Sequence, residues 1–123
     1  MKNILISIIV VLSLATIISA QEISKSDWIK YMQNALPGIF CQQDQYFRQC
    51  FNTTGSDCLQ IMREASIECL NKEQKNLPAT LTSQTGEQWG NIIGTCVGAK
   101  YEQKLQNKKS KAPNCYNPSH WMK

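Results

Sequence analysis

Cysteine, histidine and carboxylate side chains are where this chain could do chemistry. Cysteines stand at Cys41, Cys50, Cys58, Cys69, Cys96 and Cys115, and His120 follows the last of them. A thiolate beside an imidazole can act as a nucleophile or hold zinc. Either use needs an orienting acid or further ligands at a recognisable spacing, and Cys115 with His120 supplies neither. Asp57, Glu64 and Glu68 line one flank of a helical segment, where paired carboxylates do acid–base work only if burial shifts one of them. A solvated acidic flank is the simpler expectation, which leaves Glu64, Glu68 and His120 as the candidates for a hydrolytic enzyme. The glycines fall within a helical pattern, so no phosphate-cradling loop follows a strand. No catalytic residue, metal site or cofactor is expected.

An even number of cysteines is better explained as three bridges, provided the chain leaves the reducing cytosol. Export is read from residues 1–20: Lys2, an apolar run from Ile4 to Ile18, and Ser19-Ala20 before Gln21. A largely apolar run of fifteen residues suits a cleavable secretory signal and falls short of the roughly twenty of a membrane span. The expectation is a signal peptide over 1–20 and a single helical, disulfide-rich domain over 21–123 with a basic C-terminal tail. Its location would be secreted or periplasmic. A chain of that size buries roughly 60–70% of its unfolded surface.

The elements that must position these residues are helical. Ser26 is a plausible N-cap for a first helix carrying Trp28, Ile29, Met32, Ala35 and Leu36 on one face, with Pro37-Gly38 ending it. A second segment runs from about Asp44 through Tyr46, Phe47, Cys50 and Phe51. In the third, Cys58, Ile61, Met62, Ala65 and Cys69 follow a helical period, and Thr54 with Asp57 resembles a capping box. Asn71–Ser83 reads as a loop. A fourth helix extends from about Thr85 to Asn107, with Trp89, Ile92, Ile93, Cys96 and Val97 on its apolar face, before an extended or turning tail. No alternating run asks for a sheet. The fold class is therefore all-α, a small disulfide-braced bundle of about four helices with an αα-hairpin core.

Geometry narrows the fifteen possible cysteine pairings. Cys58 and Cys69 lie about 16 Å apart on one helix and cannot bridge each other. If segments two and three form an antiparallel hairpin, index sums of 108 for Cys50 with Cys58 and 110 for Cys41 with Cys69 put both pairs at matching levels. Cys96–Cys115 would then pin the tail to the fourth helix.

Two surfaces remain for recognition. Residues 21–99 carry six basic and eight acidic side chains, whereas 100–123 carry six lysines against Glu102. Lys100, Lys104, Lys108, Lys109 and Lys111 could face an anionic surface, although lysines also suit the negative end of a helix. The tail adds Tyr116, His120 and Trp121, with Trp121 either docked on the domain or offered to a partner. Gly86, Gly90, Gly94 and Gly98 recur every four residues, a flat stripe for close helix packing against the hairpin or for a groove. Asn52-Thr53-Thr54 matches a glycosylation acceptor, relevant only in a eukaryotic secretory pathway.

The order Phe47-Arg48-Gln49-Cys50-Phe51, Cys58, ten residues to Cys69, then Trp89-Gly90 and Gly94-Thr95-Cys96-Val97-Gly98 resembles small exported six-cysteine proteins of Gram-negative bacteria. Among these are uncharacterised proteins of Legionella and its relatives, including type II secretion substrates. The resemblance covers Cys41–Tyr101, implies a helical fold and a periplasmic or extracellular location, and transfers no activity. Twin-cysteine mitochondrial proteins and saposins fit less well in cysteine spacing. The expected function is an exported binding protein that engages a protein or other macromolecule, with no specific nucleic-acid signal. Membrane-active or lipid-binding action is the alternative, and a small hydrolase the third reading.

Overall fold

The computed structural model describes residues 21–122, so the signal peptide read at residues 1–20 lies outside the described residues. Helix α1 spans Lys25–Phe40 and starts two residues earlier than Ser26 suggests, because Ser24 is the N-cap and accepts the Asp27 N–H at 3.2 Å. Pro37 does not end it. Its missing donor costs one helical bond, but Leu36 and Phe40 pack on the core, and the Cys41 N–H closes the last turn on the Pro37 carbonyl at 3.0 Å.

Helix α2 is a single turn, Tyr46–Gln49, and not the longer segment expected. It stops because Cys50–Asn52 is drawn out into pairing with the tail. The Asn52 N–H donates to the Lys108 carbonyl at 2.9 Å and the Ser110 N–H to the Cys50 carbonyl at 2.7 Å. Helix α3, Gly55–Glu73, is capped by Thr54, whose hydroxyl accepts the Asp57 N–H at 3.1 Å. Helix α4, Ser83–Leu105, begins in a reciprocal capping box between Thr82 and Thr85. A short α5, Pro118–Trp121, closes the tail.

The fold is all-α apart from two paired dipeptides. Strand β1, Ile23–Ser24, runs antiparallel to β2, Thr80–Leu81, with Ile23 opposite Leu81. This pairing ties the start of α1 to the α3–α4 connection, aided by the Lys25 N–H donating to the Ala79 carbonyl at 2.9 Å. Helix α3 is the centre of the bundle and packs against both α1 and α4. Its buried seam of Cys58, Met62, Ala65, Ser66, Cys69 and Leu70 meets Trp28, Met32 and Leu36 of α1 and Ile93, Val97 and Tyr101 of α4 in one apolar core. Ser66 is satisfied there by donating to the Met62 carbonyl at 2.7 Å. Ile92, expected on the inner face, is 48% exposed, since the α4 seam runs through Ile93, Val97, Tyr101 and Leu105.

All six cysteines are bridged, but not as the index sums suggested. The pairs are Cys41–Cys58, Cys50–Cys115 and Cys69–Cys96, with Cα separations of 5.8, 5.5 and 6.0 Å. The expected Cys41–Cys69, Cys50–Cys58 and Cys96–Cys115 pairs fail because α2 is too short to be an arm of a hairpin. Cys41 instead caps α1 and reaches the first turn of α3, while Cys69 faces α4. Each closure taken alone is worth about 3–4 kcal/mol in the chain-entropy model.

The glycine stripe faces α1 and α2 at the level of side chains, not backbones. A Cβ built on Gly86 would lie 3.4 Å from Trp28 Nε1, on Gly94 3.5 Å from Phe40 Cζ, and on Gly98 3.1 Å from Phe47 Cζ. The stripe thus makes room for the aromatic side chains of neighbouring elements.

Candidate functional site

The end of the bundle where α2 meets the tail holds a run of aromatic rings in edge contact. Tyr101, fully buried, lies 5.0 Å from Phe47 and 5.3 Å from Phe51 between ring centres. Its hydroxyl donates to the Phe47 carbonyl at 3.0 Å, and burial pushes its pKa above the usual tyrosine range. Tyr46 packs edge-on against Phe47, Phe51 and Trp121 at 5.1–5.6 Å. The tail is fixed here by Cys50–Cys115 and by the Trp121 indole N–H, which donates to the Asn114 carbonyl at 2.8 Å. Trp121 is therefore docked, and His120 packs edge-on against it at 4.8 Å.

Between these walls lies a cavity of about 510 Å³ bounded by Phe40, Tyr46, Phe47, Tyr116, Pro118 and Trp121, with Gln45, Glu102 and Lys109 as its polar members. That volume falls in the range of small-molecule sites, roughly 300–1,000 Å³. Lys109 lies across it, 3.9 Å from the Glu102 carboxylate and 4.3 Å from the centre of the Tyr116 ring, a cation–π distance. The Tyr46 hydroxyl donates to Glu102. Burial, then the Glu102 carboxylate, raises the Tyr46 pKa above its ordinary value. The Tyr46 hydroxyl in turn raises that of Lys109, against the loss of hydration that would lower it. The Gln45 amide has no hydrogen-bond partner among the described residues.

The candidate residues divide by place. Lys109, Tyr116 and Trp121 meet at the cleft, together with Tyr46 and with Glu102, a residue that sequence reasoning did not single out as a contact. Lys100 and Lys104 lie elsewhere, bridged to Glu68 at 3.0 Å and Glu64 at 3.1 Å across α3 and α4. The acidic flank is thus a partner for the basic helix, and Lys104 holds the Glu64 carboxyl below its usual value. Lys108 and Lys111 are exposed and make no ion pair among the described residues. Along the glycine stripe, a shallower groove between α1 and α4 is edged by Tyr31, Ala35 and Ile39.

The helical body through Lys109 matches one protein family. Residues 22–109 match the family model described as the type II secretion system (T2SS) substrate NttA. The chain belongs to the NttA family. No curated protein matches it. The matched span holds α1 to α4 and five of the six cysteines, while Cys115, Tyr116 and Trp121 come from beyond it. Membership in the NttA family, together with three disulfides, marks a secreted protein. Among the described residues no helix is long and apolar enough to cross a membrane.

Proposed function

We propose that this NttA-family chain is a secreted recognition protein that engages a macromolecular partner through the end of the bundle where the tail is docked. Residues 1–20 are removed on export, and Gln21–Lys123 folds as one domain whose three bridges form in the oxidising periplasm before release to the medium. The observation that carries this reading is the aromatic cleft. A disulfide and the Trp121–Asn114 hydrogen bond hold the tail against α2, so the rings are preorganised and little conformational freedom is lost on binding. Exposed Lys108 and Lys111 flank Lys109 in the chain and give this segment a basic surface.

Membrane action by an opened bundle is the weaker reading, because Cys41–Cys58 and Cys69–Cys96 hold both outer helices against α3. The test has two arms. The protein is followed in medium and cells of a producing strain with and without a working type II system. Released protein, wild type or Tyr116→Ala, is then used for capture from host material, alongside sedimentation with neutral and anionic liposomes. Release only with a working system and Tyr116-dependent capture support the proposal. Retention in wild-type cells, or liposome binding in place of capture, refutes it.

A further inference from the structure

We infer that the cleft between α2 and the tail is a carbohydrate site, taking a neutral sugar ring of a glycan. This names the partner class of the recognition surface proposed above and rests on that reading. The cleft combines two chemistries that a sugar requires together. The rings of Tyr46, Tyr116 and Trp121 border it, with Lys109 lying over Tyr116, and offer apolar surface against which the C–H groups of a pyranose pack by dispersion. Polar groups of both senses stand among them. Glu102 accepts, Lys109 donates, and the Gln45 amide, free of any other partner among the described residues, does both.

Charge balance decides between ligand classes. Glu102 and Lys109 lie 3.9 Å apart and neutralise each other. A cationic ligand would meet the Lys109 ammonium already over the Tyr116 ring, 4.3 Å from its centre, and an anionic one would meet Glu102. A neutral polyhydroxyl ring uses both groups and displaces neither. About 510 Å³ is room for one or two sugar residues. Tyr116, 61% exposed, forms the outer wall, so a longer chain can leave toward solvent.

The disulfide-intact protein is tested on an array of neutral hexose and N-acetylhexosamine oligosaccharides, with sialylated and sulfated glycans as a charged arm. Gln45→Ala and Tyr116→Ala, both at sites outside the core, are compared after their helical content is checked. Wild-type binding to neutral glycans, at least about tenfold weaker in each variant, is expected for a lost amide contact or ring face. In an amide NMR titration with the best array glycan, the Trp121 indole signal should shift and those of Trp28 and Trp89 stay fixed. No array binding, binding confined to charged glycans, or equal binding by wild type and both variants overturns the inference. Tyr116-dependent capture of a partner without glycan binding would overturn the sugar assignment and leave the recognition surface standing; loss of both would remove each.

Discussion

The Lys104 ammonium donates to Glu64 Oε2 at 3.1 Å, and one turn away Lys100 meets Glu68 at 3.0 Å. Both pairs share an index sum of 168, as facing residues on antiparallel helices must. The disulfide Cys69–Cys96 lies beside them, at 165. The lysines of α4 that look like an anion-binding strip are therefore engaged with α3.

The Glu64–Lys104 pair has a pH signature. A carboxyl held below its usual value favours the folded chain above that value, and the contribution disappears as pH falls through the lowered one. Glu64→Gln should lower the melting temperature by about 2 °C or less at neutral pH, as befits an exposed pair, and by nothing in strong acid. Thermal unfolding of both proteins across pH 2–7 checks this, and a constant difference across that range would contradict the pairing.

Glycines of one stripe should respond in opposite directions. At Gly90 a new Cβ meets Met32 Cε at 3.8 Å, ordinary contact, so Gly90→Ala should stabilise by about 0.5–1 kcal/mol through helix propensity. At Gly98 it meets Phe47 Cζ at 3.1 Å, and that ring is held by Phe40, Tyr46 and Tyr101. Gly98→Ala should destabilise by about 1 kcal/mol. Urea unfolding of the two variants reads both signs.

Tyr101 links α4 to α2 through its hydroxyl. Tyr101→Phe keeps the ring but strands the Phe47 carbonyl, costing about 1 kcal/mol. Burial also raises the Tyr101 pKa, so the fold prefers its neutral form; stability present below the ordinary value of 10.0 is lost as pH rises through the raised one. Alkaline unfolding should therefore be shallower in Tyr101→Phe than in wild type, measured by circular dichroism above pH 10.

Removing Cys50–Cys115 should separate tail from body. Replacing both cysteines by alanine should cost about 4 kcal/mol for so long a loop. Helical content should persist, because Cys41–Cys58 and Cys69–Cys96 still clamp α1, α3 and α4. Trp121 fluorescence should shift toward that of an exposed indole. An unchanged Trp121 would mean that the tail is held without the bridge.

Sequence periodicity was enough for α3 and α4, where apolar residues recur on one face for about three turns and Thr54 caps the start of α3. It misjudged α1, because Pro37 carries a local signal for termination that burial of Leu36 and Phe40 outweighs. Constant index sum was the right test for bridges applied to the wrong helices, since nothing local to Asp44–Phe51 reveals that Cys50–Asn52 pairs with Lys108–Ser110. For the same reason the cleft was only partly legible. Lys109, Tyr116 and Trp121 stand close in sequence, but Phe40, Tyr46 and Glu102 reach them only through the Cys50–Cys115 bridge and the fold around it.

Non-reducing peptide mapping of protein recovered from culture medium bears most directly on the account, because the bridge that docks the tail builds the cleft. The expected result is three linked peptide pairs, Cys41 with Cys58, Cys50 with Cys115 and Cys69 with Cys96. Free thiols, or peptides joining Cys50 to Cys58 and Cys96 to Cys115, would contradict it.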